Sequence, residues 1–178
     1  MQEFARLVFS HLCHQEPARS WAPGGITLAL CHRCAGVYIG AALTLLLFPL
    51  ARFKPGKAVL LIHGLFILQM GVFGLHLVPH PGAIRTLSSQ LFIIGAFYFL
   101  WLNIRFSRGL EWKHSSPRLY FTGVLFSLVF LQILVRLPFS RAAFFLDFLA
   151  LFGLASILVL FFLTIMSFFR KSPRGISS

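Results

Sequence analysis

The sequence predicts an all-α, multi-pass transmembrane helix bundle of about five spans, preceded by an N-terminal interfacial amphipathic helix. Composition is the first reason. Of 178 residues, 58% are hydrophobic and 11% charged, against about 25% charged in soluble domains, and mean hydropathy is +0.85. The second is length: several apolar segments meet the requirement of about 20 residues for crossing the hydrocarbon core. The third is that the basic residues sit between and beside these runs. No polar stretch is long enough for a second folded unit. The expected organisation is therefore 1–33 as interfacial helix and Cys/His-bearing loop, 34–169 as the helix bundle, and 170–178 as a basic C-terminal tail.

Gln2 to Leu12 places Phe4, Leu7, Val8 and Leu12 at helical spacing with polar residues between. It is too short to cross, so it is expected in the membrane interface. The opening residues lack the charged start, apolar centre and small-residue cleavage site of a signal peptide. Pro17, Pro23, Gly24 and Gly25 make residues 15 to 25 a loop. Spans are then predicted over about Cys34–Leu50, Ala58–Val78, Leu87–Ile104, Leu119–Val135 and Ala142–Phe169. A count of four would demote the fourth to a re-entrant or peripheral element. Gly36 and Gly40 form a Gly-x-x-x-Gly pair, a signal for close helix packing.

The net charge is +12. Juxtamembrane Lys and Arg beside apolar spans fit anionic lipid headgroups, and a nucleic-acid partner is not expected. With five spans, the larger share of Lys and Arg falls on the side of the C-terminus. The positive-inside rule then puts the C-terminus in the cytoplasm and the N-terminal Cys/His segment on the exoplasmic face. Only Glu3, Glu16, Glu111 and Asp147 carry carboxylates, which leaves a paired-carboxylate mechanism almost no material. Asp147 lies inside the last span, where an ionisable group is a functional candidate or the partner of a nearby Arg. The same face is expected to gather His76, His80, Arg85, Arg136 and Arg141.

All three cysteines precede the first long apolar run, as His11-Leu12-Cys13-His14 and Cys31-His32-Arg33-Cys34. Cys-x-x-Cys is the spacing of half a zinc site and of a redox pair. At a helix start its sulfurs share the first turn, where unpaired amides favour thiolates, and Arg33 adds to this. With Cys13 as third soft ligand and an imidazole as fourth, the set would suit zinc or a similar divalent ion. His11, His14 and His32 are all candidates for the fourth place. The alternative is a thiol–disulfide oxidoreductase using Cys31 and Cys34, although quinone-linked thiol oxidases relay electrons through a second cysteine pair and one spare thiol remains here. A third possibility is a structural or partner-binding subunit. Haem attachment is disfavoured, because Ala35 stands where Cys-x-x-Cys-His requires His.

Cys13-His14-Gln15, Pro17, Arg19-Ser20 and then Cys31, Arg33-Cys34, Gly36, Tyr38 and Gly40 resemble the signature of a family of predicted bacterial membrane proteins known as a domain of unknown function. The resemblance covers the first quarter of the chain. It implies a bacterial inner-membrane protein and a site comprising Cys13, His14, Cys31 and Cys34, with Gln15, Ser20 and Tyr38 in support. The family's Asp-Gly near the start of the second span is replaced by His63-Gly64. Pro81-Gly82-Ala83-Ile84-Arg85 keeps an Arg at the third span but lacks the family's Asn residues. Arg19, Arg33 and Arg85 are the candidates for holding a lipid-linked or small anionic substrate.

Overall fold

The computed structural model describes residues 2–74, 81–110 and 116–169. His76, His80, Glu111 and the basic tail lie outside these residues. Among the described residues six α-helices follow one another: α1 (Gln2–Ser10), α2 (His32–Leu47), α3 (Lys57–Gly74), α4 (Gly82–Arg108), α5 (Pro117–Leu134) and α6 (Ser140–Phe169). Three are long and apolar enough to cross a membrane, namely Gly82–Arg108, Pro117–Leu134 and Ser140–Ser167, while α2 and α3 are shorter apolar helices. The segment that a four-span count would have demoted is α5, an unbroken helix.

The helix ends follow local chemistry. Pro117 opens α5 behind Ser116, where its missing N–H costs nothing. Gly109, at φ 60°, closes α4 with its N–H on the carbonyls of Arg105 and Phe106, and Arg105 and Arg108 lie in the last turn, where cations suit the dipole. The predicted ends of this span, Leu87 and Ile104, fall short by a turn each. The polar residues Arg85, Thr86, Arg105 and Arg108 hide the helix from a hydropathy reading.

The bundle is built on α2 and α4, which share the most extensive interface; α6 lies along α2, α3 along α4, and α5 touches both central helices. Gly36 sits against Thr86 and Ser89, and Gly40 against Gln90 and Ile93. The Gly-x-x-x-Gly pair thus marks the α2–α4 contact, and side chains at either position would push α4 away. In α1, Ala5 and Phe9 are buried while Phe4 and Leu7 are exposed. The apolar residues of this segment are therefore divided between the bundle and the outside.

Candidate metal centre

Four steps in the chain bring the thiols together. A turn after α1 carries Cys13 back, with its N–H on the Phe9 carbonyl at 2.8 Å. Gln15 adopts φ 50° and donates from its amide to the Arg6 carbonyl at 2.6 Å, which reverses the chain. The segment then forms short 3-10 turns at Pro17–Arg19 and Pro23–Gly25. Gly24, at φ 58°, lies flat against Phe139 and Ser140, where a Cβ would collide with backbone. The two arms of this loop meet through an antiparallel bridge between Ser20 and Cys31 and a bond from Leu28 N to Trp21 O at 2.9 Å.

Cys31 caps α2 and Cys34 lies in its first turn, so Cys13 has only to meet the helix start. Cys31 N donates to Cys13 Sγ at 3.3 Å. The sulfur atoms of Cys13, Cys31 and Cys34 all lie within 4.8 Å of one another, an arrangement that could hold a metal ion. All three are free thiols. Tetrahedral zinc with Zn–S of about 2.3 Å would separate its sulfurs by about 3.8 Å, so small side-chain adjustments suffice. Hydrogen bonding with the Cys13 and Cys34 thiols holds Cys31 well below the ordinary thiol range; burial opposes this, and the N–H groups of Cys34 and Arg33 reinforce it. The cluster is thus poised to carry a thiolate.

The thiols open on a cavity of about 260 Å³ lined also by Leu12, His14, Arg19, His32, Arg33 and Arg85. The structure therefore brings the three arginines singled out in the sequence to the same place as the thiols. Arg19 pairs with Glu16 at 3.0 Å in an exposed setting. Arg33 donates from Nη2 to the Phe73 carbonyl at 2.8 Å, linking α2 to the end of α3. His14 is exposed and lines the cavity, but its ring nitrogens are not in the three-sulfur group. The ring of His32 stands edge-on to Trp21 at 4.7 Å.

Gln15, Ser20, Tyr38 and Asp147 are not among the residues that line the cavity. Ser20 donates to Glu16 O at 2.9 Å, and Tyr38 packs against Phe9 with ring centroids 5.1 Å apart. Asp147 is buried, and its Oδ1 accepts from Ala29 N at 3.1 Å. Its bond is thus to the strap that leads into Cys31. The sequence did not point to Trp21 or Thr86. Trp21 donates to Thr86 Oγ1 at 2.9 Å, whose hydroxyl lies 3.0 Å from the carbonyls of His32 and Gly82. These bonds tie loop, α2 and α4 together, and a lone Thr beside Arg85 carries no local signal of that.

Fold and site together define an all-helical, membrane-type protein with a three-cysteine cluster at one end of the bundle. The family described as "Predicted membrane protein (DUF2085)" matches residues 13–133, and the chain belongs to this family. It is similar to the Uncharacterized protein MJ1492 of Methanocaldococcus jannaschii, at 38% identity over 60 residues, which cover 31% of this chain and 38% of the relative. The match thus spans well under half of that relative's length. No solved structure matches the chain.

Proposed function

We propose that this protein is a five-span membrane protein organised around a zinc-like ion held by Cys13, Cys31 and Cys34. The observation that carries this reading is the convergence of three sulfurs within 4.8 Å from two chain segments separated by a folded-back loop. At most one of three apposed thiols is readily ionised by itself, and a divalent cation would offset the charge of the other two. Soft thiolates select zinc and related ions over magnesium or calcium. Three protein ligands leave a fourth position, taken by His14 or by an external ligand, and an open position is the mark of zinc sites that activate water.

In this reading residues 34–169 form the inner-membrane bundle, and α2 and α3 complete the five crossings. At about 1.5 Å per residue, the 16 residues of α2 span about 24 Å, so the turn after Leu47 and a locally thinned bilayer make up the remainder. Helix α1 and the loop to residue 33 lie in the interface with Phe4 and Leu7 toward lipid. The Lys/Arg bias puts the thiols on the exoplasmic face and 170–178 in the cytoplasm.

Elemental analysis of protein extracted in mild detergent is expected to find about one zinc-like ion per chain. Metal-free protein with Cys31 and Cys34 joined as a disulfide would replace this reading with the thiol–disulfide one. In intact spheroplasts, a membrane-impermeant maleimide should label the cysteines once the metal is chelated. Labelling confined to lysed cells would reverse the orientation.

A further inference from the structure

The wall of the thiol cavity is cationic. Arg19, Arg33 and Arg85 line it, and among the described residues no carboxylate does. Three thiolates over-neutralise a divalent ion by one charge; three guanidinium groups reverse that, even after Glu16 offsets Arg19. A metal-bound cluster would therefore still face a positive wall, and the positive end of the α2 dipole adds to it.

The arginines reach the cavity from three directions: the 3-10 turn at Pro17–Arg19, the first turn of α2 and the first turn of α4. A planar carboxylate is met by one fork, whereas a tetrahedral oxyanion offers acceptors to several. Arg33 is oriented by its bond to Phe73 O. The volume, about 260 Å³, is below the roughly 300–1,000 Å³ of pockets for drug-sized molecules. It suits a phosphate group rather than a whole nucleotide or lipid.

We propose that the fourth ligand of the metal is a phosphate-type oxyanion, held over the three sulfurs by Arg19, Arg33 and Arg85. This inference rests on the metal reading above. The oxyanion is either inorganic phosphate or the terminal phosphate of a lipid reaching in from the bilayer, and both present the same oxygens to the same donors.

The test uses the full chain in detergent, stripped of metal and loaded with Co(II). Sulfur-to-cobalt charge-transfer absorption reports the thiolates, and the d–d bands report the fourth ligand. Inorganic phosphate or dihexanoyl phosphatidic acid is expected to shift the d–d bands saturably. Dihexanoyl phosphatidylcholine, which lacks a terminal phosphate, should leave them unchanged. A response to inorganic phosphate identifies the free ion as a source, and one to phosphatidic acid alone identifies the lipid. Arg85→Gln and the exposed Arg19→Gln should each weaken the anion by about tenfold, the worth of one charge-assisted hydrogen bond, with charge transfer retained. Intact charge transfer with d–d bands indifferent to both phosphates, or equally responsive to phosphatidylcholine, overturns the inference and leaves the metal reading standing. Unchanged anion affinity in both variants also overturns it. Absence of charge transfer on adding Co(II) removes the metal reading and the inference with it.

Discussion

At the end of the bundle that carries the thiols, loop and helix share the polarity: Cys13, Arg19 and Trp21 lie outside the α-helices, Cys31 caps α2, and Arg33, Cys34 and Arg85 lie in first helical turns. Toward the other end, the buried polar contact is made between helices. His63 of α3 is fully buried, about 15 Å of helix from Phe73, which meets Arg33. Its Nδ1 lies 2.8 Å from Val59 O and its Nε2 2.8 Å from Tyr120 Oη. A carbonyl only accepts, so Nδ1 carries the proton, and Nε2 of the neutral ring accepts from Tyr120. Tyr98 stacks on the imidazole at 3.9 Å, with Phe53 and Ile94 in the same core. Both nitrogens of His63 are consumed by the fold. The three sulfurs face a cavity and bond chiefly to one another. Histidine in one region serves cohesion, while cysteine in the other is left available for chemistry.

The sharpest way to break this comparison is to exchange the losses. Cys31→Ser should lower metal affinity by more than the about 10–100-fold typical of changes beyond the direct ligands, with the bundle still folded. Metal content against competing chelator and circular dichroism would be measured together. His63→Ala should do the reverse. Loss of two buried bonds and of packing predicts about 3 kcal/mol of destabilisation, read from thermal unfolding in detergent, with metal stoichiometry unchanged. If His63→Ala also strips the metal, the two ends are not independent.

Asp147 sharpens the same contrast from the thiol side. Asp147→Leu leaves Ala29 N without its acceptor and should cost about 1–3 kcal/mol while weakening metal binding, because the strap into Cys31 loosens. Asp147→Asn keeps an acceptor and should retain metal. Equal loss in both variants would mean that the charge, rather than the bond, is required. The smallest effect is expected from Tyr120→Phe, about 1 kcal/mol for one hydrogen bond, with no change in metal content.

Much of this architecture was legible beforehand. The five apolar segments and the loop of residues 15 to 25 correspond to elements of the structure, and Gly36 and Gly40 lie where two helices meet. Helix ends were misjudged where polar residues continue a helix, as at Arg85 and Arg105–Arg108. Asp147 was read as a functional group or an arginine's partner; the structure adds a bond from the Ala29 amide, which no side-chain pattern announces. His63 entered as a departure from the family's Asp-Gly. Its role depends on Tyr98 and Tyr120, 35 and 57 residues further on.

Hydropathy, charge spacing and cysteine position are properties of neighbouring residues, so the sequence by itself determined the helical class, the segments and the end of the molecule where chemistry should be sought. That Cys13 meets Cys31 depends on Gln15 reversing the chain, on the Ser20–Cys31 bridge and on Gly24 lying against α6. Arg33 and Arg85 reach one cavity because α2 and α4 pack through Gly36 and Gly40 and bring their first turns together, and Arg19 joins them from the folded-back loop. Such meetings are decided by loop closure and long-range packing, whose free energies belong to pairs of residues far apart in the chain. Only the tertiary structure contains them.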